Sequence, residues 1–246
     1  KGRYVQIRLI NADGMERIRV EKGGRVIPES GLQDKSHRYY VQEGFSLQPG
    51  SVYISPIDLN VEGGQVERPF SPTIRFVMPI DLEGRTRDGL IVINFRAADL
   101  LNRLKALQSI EGAELEILNA DGYWLVHPDS ALEWGFMFEE GQALTAASSE
   151  PGLWSQLLTN PEGLFQAKER GFFWRTIPIK RFFEGDRMGL NNSSEAFWVT
   201  GIRFNEEAWA YVFQPLRNKF LSFGAMFVMF GGSIAAYIFI RQRHLE

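Results

Sequence analysis

Cysteine is absent from the 246 residues, which excludes a disulfide framework and any thiolate metal site. Histidine is scarce: His37, His127 and His244 lie far apart with no metal-ligand spacing, so no zinc site is expected. Neither sign of charge dominates. The net charge is −3 and the main body carries no basic stripe, which sets nucleic-acid binding aside. Catalytic signatures are missing too, with no Ser-centred nucleophile elbow, HExxH helix or phosphate-binding glycine loop. Glu139-Glu140 and Glu206-Glu207 are adjacent carboxylates, but neighbouring side chains point apart and make no acid–base pair. The chain is therefore read as a non-enzyme, with no cofactor expected.

What remains is an ordinary globular composition, 44% hydrophobic and 23% charged, long enough for one large domain or two small ones. The C-terminal end departs from it. From Phe220 to Ile240 the chain runs 21 residues without a charge, and a helix needs about 20 to cross the hydrocarbon core. Gly224, Gly231, Gly232 and Ser233 suit close helix packing in lipid. A transmembrane helix over 219–241 is expected. Arg217 and Lys219 before it balance Arg241 and Arg243 after it, so charge alone does not orient it. Lys1 is no initiator and no signal peptide precedes the first strand, so the chain reads as a fragment or processed form.

Two segments repeat. Leu9-Ile10-Asn11-Ala12-Asp13-Gly14 recurs as Ile117-Leu118-Asn119-Ala120-Asp121-Gly122, 108 residues later. Apolar residues alternate before each copy (Val5, Ile7, Leu9; Leu115, Ile117), and Asp-Gly is a strong hairpin signal. After the first hairpin come a helical or loop region, Glu29 to Phe45, and strand candidates Ser51–Ile57, Thr73–Pro79 and Leu90–Phe95. After the second come a mixed region, Pro128 to Ala167, and strand candidates Gly171–Ile177, Ala196–Phe204 and Ala208–Phe213. Leu100, Leu101, Leu104 and Leu107 recur at helical spacing between the copies and predict a linking helix. Two strands, an excursion and three strands, apparently twice, give an α+β fold of two tandem PAS-like domains with antiparallel sheets, followed by one transmembrane helix. The predicted boundaries are 1–97 and 98–215.

The residues Leu32-Gln33-Asp34-Lys35, Arg38-Tyr39-Tyr40 and Val52-Tyr53-Ile54-Ser55-Pro56-Ile57-Asp58-Leu59-Asn60-Val61-Glu62 form a specific pattern. With Pro69, Pro72, Arg75, Pro79, Gly89 and Asn94, it resembles the membrane-distal domain of double Cache sensors. The branch it is most similar to is that of bacterial sensor histidine kinases and diguanylate cyclases. Gly122-Tyr123-Trp124-Leu125-Val126-His127-Pro128 and Glu133-Trp134-Gly135-Phe136 resemble that branch's membrane-proximal domain. The family's long N-terminal helix and preceding transmembrane helix have no counterpart here, and no output segment is visible. Arg241 to Glu246 reads either as the opening of a cytoplasmic helix or, at Leu245-Glu246, as a cloning scar.

The resemblance implies a bacterial inner-membrane receptor, a homodimer with its sensing domains periplasmic or extracellular and a kinase or diguanylate cyclase output. It also implies a small-molecule site in the distal domain, at Arg38, Tyr39, Tyr40, Tyr53, Ser55, Asp58 and Arg75. A guanidinium forks onto a carboxylate, tyrosines offer apolar area with a hydroxyl, and an aspartate receives an amine, so a carboxylate or an amine fits. Adjacent Tyr39 and Tyr40 are expected to send only one ring to the site. Arg38 and Asp58 could equally pair with each other or with Lys35, and Arg75 could be a structural anchor. The amino-acid-binding version of the pattern has an Arg where His37 stands and an aromatic where Ile57 stands, which leaves the ligand class open. The six tryptophans all fall in the second half and are read as core. His127 is read as a turn residue. The competing reading of the whole is a membrane-anchored structural or interaction module with no small ligand.

Overall fold

The computed structural model describes residues 4–48, 50–81, 88–106, 111–167, 170–178 and 197–213, together with 215, 218, 219 and 222. The apolar run Phe220–Ile240 thus lies outside the described residues, apart from Ser222. Among the described residues no helix is long and apolar enough to cross a membrane.

The repeated hexapeptide makes the same turn twice. β1 (Tyr4–Asn11) turns into β2 (Glu16–Glu21), and β10 (Ala113–Leu118) into β11 (Trp124–Val126). The side-chain oxygen of Asn11 accepts from Met15 N at 2.9 Å, and that of Asn119 from Tyr123 N at 2.9 Å. Gly14 and Gly122 supply the left-handed turn residue, with φ of 82° and 83°. The repeat is therefore a repeat of structure.

Each hairpin opens an antiparallel sheet. The first also holds β3 (Arg25–Val26), β4 (Tyr53–Ile54), β5 (Asp58–Leu59), β8 (Pro72–Ile80) and β9 (Gly89–Arg96), and a small ribbon pairs β6 (Val61–Glu62) with β7 (Gln65–Val66). The second adds β12 (Glu162–Ala167), β13 (Arg170–Pro178) and β14 (Phe197–Phe204). The first sheet runs β2-β1-β9-β8-β4 and the second β11-β10-β14-β13-β12. With the short edge strands β3 and β5 of the first sheet set aside, both run two-one-five-four-three in chain order.

Each sheet carries helix on one face. α1 (Tyr39–Ser46) lies on the first, with Tyr40 and Val41 packed against Val77, Leu90 and Val92. Gly44 permits that approach, since a Cβ there would stand 2.6 Å from the Val77 side chain. α3 (Ala146–Ser149) and α4 (Pro151–Thr159) cover the second, where Leu153 and Leu157 meet Trp124, Phe172, Trp174 and Val199. The linking helix forms as expected, α2 (Ala98–Ala106). A single buried cluster runs from Ile54, Ile57, Leu59 and Ile74 of the first sheet through Leu101 of α2 to Ile117, Leu125, Trp134 and Trp198 of the second. Trp134 sits in it with φ of 66°, a left-handed conformation costly for a residue with a Cβ and held here by burial.

Three expectations are corrected. Residues 206–213 are helix (α5), not the strand predicted for Ala208–Phe213. Asn205 caps it, its side-chain oxygen accepting from Ala208 N at 2.8 Å, with Glu206 and Glu207 favourable in the first turn. Trp209 and Phe213, four apart, stack at 4.0 Å. The strand that completes the second sheet is instead β12, from within the mixed region. The Ser51–Ile57 candidate shortens to Tyr53–Ile54, with a separate pairing at β5.

Candidate functional site

Period-two alternation says that a strand has two faces, not which one is inside. In the first sheet the polar face is inside. On β1, Gln6 and Arg8 are buried while Ile7 is 44% exposed; on β2, Arg19 is buried while Ile18 is exposed. Register carries the pattern across the sheet. Gln6, Asn94 and Arg75 stand side by side on β1, β9 and β8, and the next row runs Arg19, Arg8, Val92, Val77, Tyr53.

Against this face lies the segment Asp58-Leu59-Asn60-Val61-Glu62, whose alternate residues supply one partner per strand. Asp58 pairs with Arg75 at 2.5 Å, Asn60 accepts from Asn94 at 3.4 Å, and Glu62 pairs with Arg8 at 2.7 Å. Glu16, fully buried on β2, takes Arg8 at 2.7 Å and Arg19 at 3.2 Å. Lys35 lies 3.7 Å from Glu62. Burial pulls the Lys35 ammonium below its usual value against the pull of Glu62. Burial also works against the charge of Glu62, but Arg8 and Lys35 outweigh it and hold the carboxyl below its usual range. Arg8 Nη1, Arg75 Nε and Asn94 Oδ1 remain buried without a hydrogen-bond partner among the described residues.

The predicted site residues gather at the α1 end of this face. Tyr39 and Tyr40 both reach it, which corrects the expectation that only one could. They sit where the chain enters α1, ring to ring at 5.6 Å and near perpendicular. Tyr39 is 37% exposed overall, yet its hydroxyl end is turned inward and donates to Asp58 Oδ2 at 3.0 Å. Burial and the Asp58 carboxylate push that phenol well above its ordinary value. The Tyr40 ring lies between two guanidiniums, Arg75 at 4.8 Å and Arg38 at 5.8 Å. Tyr53 is buried beside them, and burial, with Glu43 and Asp58 nearby, pushes its phenol up to about 12. Burial disfavours the charge on Arg75, but Asp58, Tyr39 and Tyr40 outweigh it and hold its pKa above that of an ordinary arginine.

Asp58 pairs with neither Arg38 nor Lys35, since its two oxygens are taken by Arg75 and Tyr39. Ser55 is likewise engaged, donating to Pro56 O and accepting from Arg75 N, both at 2.8 Å. Arg38, half-buried, has no carboxylate partner among the described residues. Asp58, Ser55 and Arg75 thus hold one another, and among the described residues the polar ends of Arg38, Tyr40 and Tyr53 make no side-chain hydrogen bond.

In the second sheet Trp124, Trp134, Trp174 and Trp198 are all buried in packing clusters, as core residues. His127 closes a turn, its Nδ1 accepting from Asp129 N at 2.9 Å. The sequence carries no signal for an ion triad built around one buried carboxylate. Arg203 binds Glu116, 1% exposed, and reaches Glu150 at 2.7 and 3.2 Å, its guanidinium 4.9 Å from the Phe172 ring. Glu116 also accepts from Trp124 Nε1 at 3.2 Å. Beside the triad opens a cleft of about 890 Å3. Among the described residues no three His, Asp or Glu are placed to hold a metal.

Two antiparallel sheets of one strand order, each with helix on one face, define an α+β sensor module of the PAS and Cache kind. The sequence model of the bacterial histidine kinase sensor domain matches residues 2–183, and the chain belongs to that family. No curated protein sequence matches it significantly. Among solved structures, it is similar to a domain of a sensory box/GGDEF family protein from Vibrio parahaemolyticus, with TM-score 0.66 and 22% identity, over 84% of this chain and 74% of that one. It is also similar to the extracellular domain of a protein described as a histidine kinase, with TM-score 0.63 and 21% identity, over 85% and 71%. The periplasmic sensory domain of the Campylobacter jejuni chemoreceptor Tlp1 shares the fold at TM-score 0.52 and 13% identity, over 85% and 74%.

Proposed function

We propose that the chain is the ligand-sensing part of a bacterial inner-membrane receptor, working as a homodimer. In this reading residues 1–97 and 98–215 are tandem sensing domains outside the cytoplasm. The run 219–241 crosses the membrane and drives a kinase or diguanylate cyclase output. A small carboxylate or amine binds in the distal domain, against Arg38, Tyr40 and Tyr53, with Ser55, Asp58 and Arg75 as their frame. The observation that carries this reading is the inverted first sheet. A fold that needed only a core would turn Ile7 and Ile18 inward, not Gln6, Arg8 and Arg19, because buried polar groups stabilise little and cost much if unpaired. Polar groups turned inward are what a ligand pocket requires.

The competing reading, an interaction module without a small ligand, draws support from one fact: Asp58 and Arg75 already satisfy each other. Calorimetric titration of the full chain in detergent micelles against a panel of small carboxylates and amines separates the two. Arg38→Ala and Tyr53→Phe should each weaken a carboxylate by about ten-fold, the worth of one charge-assisted or buried hydrogen bond. A binder held equally well by both variants places the pocket elsewhere. A panel with no binder at all leaves the interaction module standing.

A further inference from the structure

The second sheet carries a feature that distal sensing does not use. Its cleft of about 890 Å3 lies on the face of α3 and α4, at the end of the sheet where β13 starts and β14 stops. Phe165 on β12 gives it an aromatic wall, while the Phe172 ring opposite it on β13 is buried beneath Arg203. Arg203 and Glu150 give it a fixed polar wall. Arg203 is saturated by Glu116 and Glu150, so neither it nor they are free to clamp an ion.

Two charges remain. Arg170 and Glu206 line the same cleft, both exposed, and neither makes a hydrogen bond or ion pair among the described residues. Register brings them to one end of one ladder. Gly171 pairs with Phe204, so Arg170 precedes that pair on β13 and Glu206 follows it on β14's continuation. Among the described residues no ion pair joins them, so a cation and an anion flank the cleft without closing on each other. A phenyl wall beside them supplies apolar area.

We propose that this cleft is a second ligand site, taking a small zwitterion with an aromatic or bulky apolar body. Its carboxylate forks onto Arg170, its ammonium meets Glu206, and its apolar body lies on Phe165. Glu206 is the first residue of α5, the helix that leads toward the apolar run, so occupancy bears directly on that helix. The site is independent of the distal one, sharing no residue with it.

The test is calorimetry on the full chain in micelles with three matched probes: L-phenylalanine, 3-phenylpropanoate without the amine, and phenethylamine without the carboxylate. L-phenylalanine should bind, and each single-charge probe should bind about ten-fold more weakly or worse, as the loss of one charge-assisted contact implies. Arg170→Gln and Glu206→Gln should weaken L-phenylalanine by a similar factor, and Arg38→Ala, titrated beside them, separates any signal that belongs to the distal site. Both residues are exposed, and melting curves equal to wild type would show that folding is intact. The proposal is overturned if L-phenylalanine does not bind, if the single-charge probes bind as well as it does, or if neither cleft variant weakens it. Binding lost only in Arg38→Ala would assign the probe to the distal site and equally overturn the cleft.

Discussion

Replacing Asp58 by alanine separates a ligand-facing aspartate from a structural one. Asp58 is 6% exposed and Arg75 2%, and the pair is closed at 2.5 Å. Alanine would leave the Arg75 guanidinium charged in the interior, with Nε already unpartnered, and would take from Tyr39 the acceptor of its hydroxyl. Breaking a buried pair on one side costs about 3–5 kcal/mol, mostly the uncompensated charge. A lost hydrogen bond to Tyr39 adds about 1 kcal/mol. Set against total stabilities of about 5–15 kcal/mol, this puts Asp58→Ala near the edge of folding. Removing both charges together, as Asp58→Leu with Arg75→Met, should restore most of the loss, because an apolar pair of similar volume often matches a buried ion pair. Urea unfolding followed by tryptophan fluorescence, on wild type, both single variants and the double variant, gives the coupling directly. An Asp58→Ala chain within about 1 kcal/mol of wild type would refute the reasoning, since no structural ion pair is that cheap to break on one side.

Glu62 sets a pH dependence. Its folded carboxyl is held below the ordinary value of 4.5, so the stabilisation is full above that value and is lost as pH falls through the depressed one. Acid unfolding curves should show this loss in wild type and a flatter profile in Glu62→Gln; parallel profiles would contradict the network's role. At Gly201 an added Cβ would stand 2.1 Å from the Phe172 ring, beneath Arg203. Gly201→Ala should therefore cost about 1–3 kcal/mol by overpacking, read as a lower urea midpoint, and an unchanged midpoint would mean that the ring moves freely.

The sequence made the hairpins, α2 and the long strands β8 and β9 legible, because Asp-Gly turns and apolar spacing are local signals. It did not show which face of β1 is buried. Val5, Ile7 and Leu9 look like a core face, and only Glu16 across the hairpin, with Glu62 and Asn94 distant in sequence, makes the opposite face the inner one. The alternation Asp58, Asn60, Glu62 was the available clue. Residues 208–213 alternate small or polar with aromatic residues and so imitate a strand, while the cap signal Asn205-Glu206-Glu207 stood just outside the segment. β12 was obscured by its exposure, with four of its six residues facing solvent. The pairing of Asp58 with Arg75 rather than Arg38 depended on strand register, which no local pattern sets.

Asp58 has one more property, which follows from the pleat. Its side chain meets Arg75 on the inner face, while its neighbours Ile57 and Leu59 are buried in the cluster that also holds Leu101, Trp134 and Trp198. Three consecutive residues thus act as a rocker with the carboxylate on one side and two aliphatic knobs on the other. A tilt of the carboxylate would push the knobs the opposite way, into a close-packed interior that transmits strain. In the sensing role proposed above, a change at the carboxylate would reach the cluster shared with the second sheet across the width of a single strand.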